Sequence, residues 1–336
     1  MGNMRVSKRG YPIALVVFAV SIILTFTFTN DYYLVIMCQV ACYYIAALGL
    51  NFITGLTGQP NMGAAGTFSL GAYTSSLVSM KLGVSPFLAM FFVLAMGWLI
   101  GKVLGFPTLR LEGVYLALIS MLFAEVVRIV IMNMPNFTGG AAGLKNIPNY
   151  HIFGFTFSKY RDTVLLYTVF ALIMTYIAHR ITRSRWGRSF VAVRDNVEAV
   201  GSCGINVSAI KIAAYTVCCV FICVAGAMQA HYLTYLSPVS FSGLLSNSFV
   251  IILILGGIGT VSGAFVGSII VVLLPEILRF VGEYYMLVYV SIVMLNLMFL
   301  PRGIVPTLLR TQGGVSSVEA IKMFFSMGKK GVDGDE

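Results

Sequence analysis

Two glycine-rich segments carry residue types that could contact a polar solute. The first is "GLTGQPNMGAAGTFSLGAY" at 55–73, and the second is "GGIGTVSGAFVGS" at 256–268. Proline removes a backbone donor and breaks the helical ladder, so the polar amides beside Pro60 need partners or a water-filled cavity. The candidate path residues are Thr57, Gln59, Asn61, Gly63, Gly66, Gly259 and Gly263.

One glycine break lies in each half of the chain, and such paired interruptions are typical of internal repeats around a transport path. Close packing of helices through small residues is the other interpretation. Both remain open for the second segment. In the first segment the polar residues Gln59 and Asn61 favour a functional role.

A third candidate is the charged stretch "RSRWGRSFVAVRDNVEAVGSCGIN" at 183–206. Its composition predicts a short two-faced helix over 188–202 that ends before Gly204, because glycine tolerates a positive φ. Such a helix can insert into a cytoplasmic partner. Resting on anionic lipid at the membrane surface is the alternative interpretation.

Two acid–base pairs lie inside apolar runs, Glu125 with Arg128 and Glu276 with Arg279. Each pair is three residues apart on a helix, so its charges can neutralise each other. Ionisable groups at membrane depth suggest function, here an outer vestibule or a contact for an external partner. The alternative is a structural role, in which each arginine extends to the membrane–water interface and its acid serves only as its partner. An unpaired acid near the midplane, which a proton-driven pump usually needs, is not found.

The elements that must position these residues are membrane helices. The 336 residues are 58% hydrophobic and 10% charged, with a net charge of +10, and the mean hydropathy is +0.91. Apolar runs of about twenty residues match a bilayer core of about 30 Å. The fold class is therefore an all-α polytopic membrane protein. The basic excess follows the enrichment of Lys and Arg in cytoplasmic loops rather than nucleic-acid binding.

Ten spans are predicted, and an even number places both termini in the cytoplasm. The domains are an N-terminal segment 1–11, a membrane domain 12–300 with an external loop 134–162 and a cytoplasmic loop 182–208, and a cytoplasmic tail 301–336. Five apolar residues at helical spacing in the tail, from Val315 to Phe325, fit an amphipathic helix on the membrane or on a partner, and a merely collapsed tail is the alternative. The spans are 12–29, 32–53, 64–81, 86–105, 113–133, 163–181, 209–233, 244–261, 263–282 and 284–300.

Nothing in the sequence predicts a catalytic or metal centre. The G-x-x-x-x-G-K-[ST] loop is absent, so the chain does not bind ATP through that motif, and H-E-x-x-H is absent too. The six cysteines lie mostly inside apolar runs, away from the three histidines, and we interpret them as packing residues. The chain is not expected to be an enzyme or to hold a cofactor or metal of its own.

Six motifs in order resemble the membrane subunit of branched-chain amino acid ABC transporters, the LivH/LivM type and closest to LivM. They are the glycine-rich segment at 55, "LRLEGVYLALISMLFAEVVRIV", "TGGAAGL", "GRSFVAVRDNVEAVGSCGIN", "GGIGTVSGAFVGSIIVVLLPEILR" and "LPRGI". The resemblance covers spans two to ten. It implies a ten-helix permease whose "TGG" loop contains Thr138, Gly139 and Gly140. The sequence departs from the pattern at Val197 and Gly201, where the family often has acids, and at Pro60-Asn61 and Ala64-Ala65.

The resemblance also implies the partners and the coupling residues. A second, LivH-like permease would pair with this chain, two cytoplasmic ATPases would hydrolyse ATP-Mg, and an external binding protein would deliver the solute. Membrane lipid completes the set, and the location is a bacterial or archaeal plasma membrane. Three alternatives stay open. The chain could be a member of the same family that carries urea, amides or other amino acids, it could be an ion-coupled carrier, or it could be a scaffold without transport. The implied coupling residues are Gly187, Arg188, Arg194, Asp195, Ala199 and Gly204. Glu198 lies one place off the family's acid and is a further candidate for contact with the partner.

Overall fold

The computed structural model describes residues 30–311, apart from 110, 112, 153–154, 158 and 301–302. The segment 1–11, the predicted first span and the tail beyond 311 with its predicted helix lie outside these residues. The helices are α1 (Asp31–Leu50), α2 (Ala64–Lys81), α3 (Pro86–Gly105), α4 (Val114–Met132), α5 (Pro135–Thr138), α6 (Tyr160–Arg183), α7 (Arg185–Asp195), α8 (Val197–Ser202), α9 (Val207–Leu233), α10 (Gly243–Gly256), α11 (Val261–Leu278), α12 (Tyr285–Phe299) and α13 (Ile304–Thr311).

Each predicted span within the described residues corresponds to a helix. α1 continues as a π-helix, Asn51–Leu56. Among the described residues, six helices are long and apolar enough to cross a membrane: α1 with its extension, α3, α4, α6, α9 and α11. α10 and α12 are apolar but shorter, and α2 has 18 residues but is not apolar enough to count among the six. The all-α membrane architecture is confirmed, whereas the number of ten spans stays a prediction.

α9 is the central helix, and it packs against α1, α2 and α3. Small residues allow these backbones to approach closely, since a Cβ on Gly101 would lie 2.4 Å from Thr216 Cα. Cys218, Cys219 and Cys223 are buried in this seam as free thiols. Their surroundings are those of packing residues, because small side chains let membrane helices meet without leaving cavities.

α10 and α11 form a second closely packed pair, joined by the turn 257–260. A Cβ on Gly256 would lie 1.8 Å from Gly263 O, and one on Gly267 would lie 2.0 Å from Ile252 O. The second glycine-rich segment therefore provides tight helix packing, which is the second of the two interpretations of this segment. α11 joins the core through an edge-to-face contact between Tyr44 of α1 and Phe265.

The predicted external loop carries short strands that the sequence does not indicate. β1 (Leu144–Lys145) pairs antiparallel with β4 (Tyr235–Leu236), and β2 (His151–Ile152) pairs with β3 (Phe155–Thr156). The β1–β4 pair fixes the loop to the chain that follows α9. The end of the bundle formed by α4, α6 and α9 is thus closed by a structured loop.

The charged stretch forms two helices rather than the single predicted helix over 188–202. α7 begins earlier, at Arg185, and Asn196 separates it from α8 with extended backbone angles. The Asn196 side chain accepts a hydrogen bond from Ala199 N at 2.9 Å, which makes it the N-cap of α8. α7 buries Phe190 and Val193 and exposes its charged residues.

Candidate functional site

The first glycine break lies deep inside the helix bundle. The backbone carbonyl of Thr67, in the first turn of α2, accepts a hydrogen bond at 3.3 Å from the Cys223 thiol of α9. Cys223 lies about 24 Å along α9 from Val207, on a helix about 40 Å long. α2 therefore begins roughly 15–20 Å along α9, in its middle third. The break between α1 and α2 lies beside the middle of α9 rather than beside either of its ends.

The first turns of α2 and α10 meet at this depth. Ser246, in the first turn of α10, accepts a hydrogen bond from Ala65 N at 2.9 Å. Helix N-termini present N–H groups without intrahelical acceptors and carry partial positive charge. Two such ends together form a place that favours an anionic group.

Side chains from the break and from α4 hold the start of α2. Met62 N donates to Ser120 Oγ at 2.9 Å, and Gly63 N donates to Asn61 Oδ1 at 2.8 Å. Asn61 is buried, and its carbonyl oxygen stabilises the entry to the helix. The amide of Asn61, which the sequence predicts in a solute path, thus stabilises the start of α2.

A π-helix ends α1 and joins the two glycine breaks. Asn51 is buried, and its Oδ1 accepts a hydrogen bond from Gly259 N at 2.8 Å. Gly259 has a φ of +84°, a conformation that favours glycine and turns its N–H toward Asn51. π-turns are frequent at functional sites because they disturb the regular ladder. This single amide fixes the two breaks to each other.

The α7 helix reaches the same junction through Arg194. Its Nη1 donates to Gly55 O at 2.8 Å, and Gly55 lies in the π-helix. A cation at the end of a helix is favourable, because the last carbonyls lack partners and carry partial negative charge. Gly58, with a φ of +70°, passes beneath the Arg194 side chain, where a Cβ would lie 3.0 Å from Cγ. The break and the charged loop are therefore in direct contact.

Thr57 and Gln59 lie within the break itself. The Thr57 hydroxyl donates to Ile53 O at 2.6 Å, and Gln59 N donates to the same carbonyl at 3.1 Å. Gln59 Oε1 is buried without a hydrogen-bond partner among the described residues.

The path glycines lie at helix contacts. A Cβ on Gly63 would be 2.3 Å from Ser120 O, and one on Gly66 would be 2.6 Å from Ala124 Cα. Both bring α2 against α4, while Gly263 brings α11 against the end of α10. Their role in a solute path stays a prediction; their packing role is directly visible.

The two acid–base pairs differ from each other. Arg128 forms an ion pair with Glu125 on α4, as the spacing predicted. The expected direct pairing of Glu276 with Arg279 is wrong: Tyr32 of α1 donates to Glu276, and Arg279 Nη1 lies 3.4 Å from the same hydroxyl. Arg279 follows α11 with helical backbone angles, so the shared Tyr32 hydroxyl, and not the end of the helix, takes the place of the direct pair.

The "TGG" loop is a compact turn at the end of α4. Thr138 is buried, and its hydroxyl donates to Ile131 O at 2.6 Å. Gly139 and Gly140 follow with φ of +76° and +57° and reverse the chain. The loop continues into β1 and so becomes part of the closed end of the bundle.

A buried histidine ties this loop to the core. His231 Nδ1 lies 2.7 Å from Pro148 O, and its Nε2 lies 2.7 Å from Ser75 Oγ. A carbonyl can only accept, so Nδ1 carries the proton and Ser75 donates to Nε2. Tyr150 packs on the imidazole ring, and burial raises the pKa of its phenol, which keeps it neutral.

The other residues that the sequence predicts for coupling lie on α7, α8 and the turn after them. A Cβ on Gly187 would be 2.1 Å from Thr182 O, so this residue allows α7 to fold back on α6. Gly204 has a φ of +75° at the turn into α9. Arg188 Nη1 donates to Arg183 O at 3.2 Å. Asp195 and Glu198 are exposed, and their carboxylates have no ion-pair partner within the described part of the chain.

Sequence reasoning missed four polar residues of the site. Their signals are weak: one asparagine near the end of an apolar run, two serines in apolar helices and one isolated histidine. Each acquires its role from a partner on another element, which spacing cannot indicate. These residues are Asn51, Ser120, Ser246 and His231.

Asn51→Ala is expected to destabilise the protein by about 1–3 kcal/mol, because Gly259 N–H loses its acceptor inside the bundle. Thermal unfolding in detergent measures this. Asn133→Ala is the matched control: Asn133 is exposed at the end of α4, where its amide donates to Ile129 O. Equal shifts of the two variants would show that the junction does not depend on Asn51.

Comparison with known proteins identifies the family. Residues 32–300 match the family described as the permease component of the branched-chain amino acid transport system. The permease protein LivM of the high-affinity branched-chain amino acid transport system of Escherichia coli K12 is 32% identical over 287 residues, which cover 79% of this chain and 68% of that protein. LivM of Salmonella typhimurium LT2 is 31% identical over the same shares.

A more distant relative carries a different name. The ribose import permease protein RbsC of Escherichia coli K12 is 25% identical over 272 residues, which cover 77% of this chain and 82% of that protein. No solved structure matches the chain. The family match spans both glycine breaks, the α7–α8 loop and the closed end of the bundle, and this chain is a member of the branched-chain amino acid transport permease family.

Proposed function

We propose that this multi-pass membrane protein forms the translocation path for branched-chain amino acids in an ATP-driven importer. Permeases of this family work with ATPase and substrate-binding components. In our proposal a second, LivH-like permease completes the path, two cytoplasmic ATPases hydrolyse ATP-Mg, and an external protein delivers the amino acid. Both termini and α7–α8 face the cytoplasm of a bacterium or archaeon.

The chemistry of the break suits a zwitterionic amino acid. A carboxylate is acceptor-only and negatively charged, and the adjoining N-termini of α2 and α10 supply positive potential. An ammonium group needs acceptors, and Gln59 Oε1 is one without a partner in the described residues. Met62, Met121 and Leu244 expose apolar surface nearby, suited to an aliphatic side chain.

One observation carries the coupling mechanism: Arg194 of α7 bonds Gly55 in the π-helix, which Asn51 fixes to the second break. Movement of α7 by an ATPase would therefore displace the wall of both breaks together. Asp195 and Glu198, exposed on the outer side, are the residues that we assign to ATPase contact. The closed end with Thr138, Gly139 and Gly140 would receive the external protein.

The test is uptake of radiolabelled leucine into vesicles that contain the reconstituted importer. We expect uptake that requires internal ATP and the external binding protein, is insensitive to ionophores and is reduced by excess valine or isoleucine. Competition by ribose, tyrosine or urea in place of valine would assign another solute to the same path. Uptake that survives without ATP but collapses with the ion gradient would identify an ion-coupled carrier instead.

A further inference from the structure

A groove of about 820 Å³ lies between the end of α6, the start of α7 and the wall of α9. It belongs to the same end of the bundle as the coupling helices but lies apart from both glycine breaks. Its lining is cationic at one end and apolar at the other. The residues that define this character are Tyr176, Arg180, Arg183, Trp186, Ala213 and Val217.

The exposed face of α6 changes character along the helix axis toward this groove. Val169, Ile173, Tyr176, Arg180 and Arg183 follow one another at intervals of three and four residues, so they share one face. The first three are 51%, 50% and 52% exposed. An aliphatic track thus leads to an aromatic ring and ends in two guanidinium groups.

Charge at the groove is unbalanced. The sequence from 163 to 194 contains no acidic residue. Arg180 and Arg183 are exposed. Among the described residues neither guanidinium group has a carboxylate within 4 Å; the ion pair found there is that of Glu125 with Arg128 on α4. Trp186, 53% exposed, lies at the rim. Tryptophan and tyrosine concentrate at the membrane–water interface, where headgroups lie.

The depth of the groove separates lipid from a soluble partner. Tyr176 lies about 10 Å along α6 from its last residue, and Val217 lies about 15 Å along α9 from its first. A soluble ATPase subunit can cover the arginines but cannot fill the apolar end inside the bilayer. A phospholipid has the matching sequence of parts: phosphate, glycerol and acyl chain.

We propose that this groove binds one anionic phospholipid. Arg180 and Arg183 hold its phosphate, Trp186 and Tyr176 pack beside its glycerol region, and one acyl chain follows Val169 and Ile173 along α6. Basic pockets between helices at the cytoplasmic side of membranes are suited to such headgroups. The lipid fills the angle between α6 and α7 and so stabilises the position of α7. Lipid binding in this groove does not depend on which solute the protein carries.

The test uses the complete importer, purified from nanodiscs of phosphatidylglycerol or of phosphatidylcholine, with bound lipid measured by native mass spectrometry. We expect retained phosphatidylglycerol, with affinity roughly 30-fold weaker in the variant Arg180→Gln/Arg183→Gln. Arg185→Gln/Arg188→Gln removes the same charge from the same region and should retain the lipid, because these residues do not line the groove. Equal losses in the two double variants, or equal retention of phosphatidylcholine, would overturn the proposal.

A second variant tests the apolar end without changing charge. Ala213→Phe places a ring in the groove and should displace the lipid while the complex still elutes as a single species in size-exclusion chromatography. If Ala213→Phe retains the lipid fully, the acyl-chain assignment is wrong. If Arg180→Gln/Arg183→Gln sheds the ATPase subunits with lipid retention unchanged, the groove is a protein contact and the lipid proposal fails.

Discussion

Arg194→Ala is expected to reduce ATP-driven uptake by roughly tenfold or more, the scale of a coupling free energy of about 1–3 kcal/mol, while ATP hydrolysis continues. The bond from Arg194 Nη1 to Gly55 O joins α7 to the π-helix, so its loss lets α7 move without moving the break. Arg194→Glu should have the larger effect, since a carboxylate would face the negative end of α1. The measurement is leucine taken up per ATP hydrolysed in reconstituted vesicles.

Conservative and neighbouring substitutions separate this inward role from contact with an ATPase. Arg194→Lys keeps a cation that can reach Gly55 O and should recover part of the uptake. Asp195→Asn and Glu198→Gln alter exposed carboxylates and should instead weaken retention of the ATPase subunits on purification. An unchanged ratio of uptake to hydrolysis in Arg194→Ala would remove the assigned link.

Gly71→Ala is expected to cause a large loss of folded protein. Its Cβ would lie 2.2 Å from Cys223 O and 2.5 Å from Cys223 Cα, so the backbones of α2 and α9 must separate. Overpacking of this kind typically costs about 1–3 kcal/mol, and here it acts on the central helix. The yield of monodisperse protein in detergent and its thermal midpoint measure the effect.

The matched control is Gly201→Ala on α8, where a Cβ would meet nothing within 4 Å. Alanine favours helix over glycine, so this change should be neutral or slightly stabilising. Similar yields from both variants would show that α2 and α9 can separate without loss of the fold.

Hydropathy and helix-end signals predicted most of the helices because burial in lipid imposes a length and a composition. The span 86–105 coincides with α3 and the span 64–81 with α2. The prediction was less accurate where polar side chains decide the backbone. Asn196 ended the expected helix of the charged loop, although asparagine is a favoured N-cap and the signal was present.

The contacts that make the site could not be predicted in this way. Asn51 and Gly259 are 208 residues apart, and Arg194 is 139 residues from Gly55. Tyr32 replaced the expected Glu276–Arg279 pair because tertiary packing brought α1 beside the end of α11. Spacing along a chain reports which residues share a face; it carries no information on which face meets another.

The π-helix at 51–56 holds one residue more per turn than an α-helix would. An α-helix turns by about 100° per residue and the wider turn by less, so five residues in α geometry cover nearly the same rotation as the six of the π-helix. Deleting a single residue there would therefore restore regular hydrogen bonding and leave the direction of the break that follows nearly unchanged. The wide turn thus absorbs one extra residue, and it places Gly55 O, which Arg194 bonds, in an irregular part of the helix.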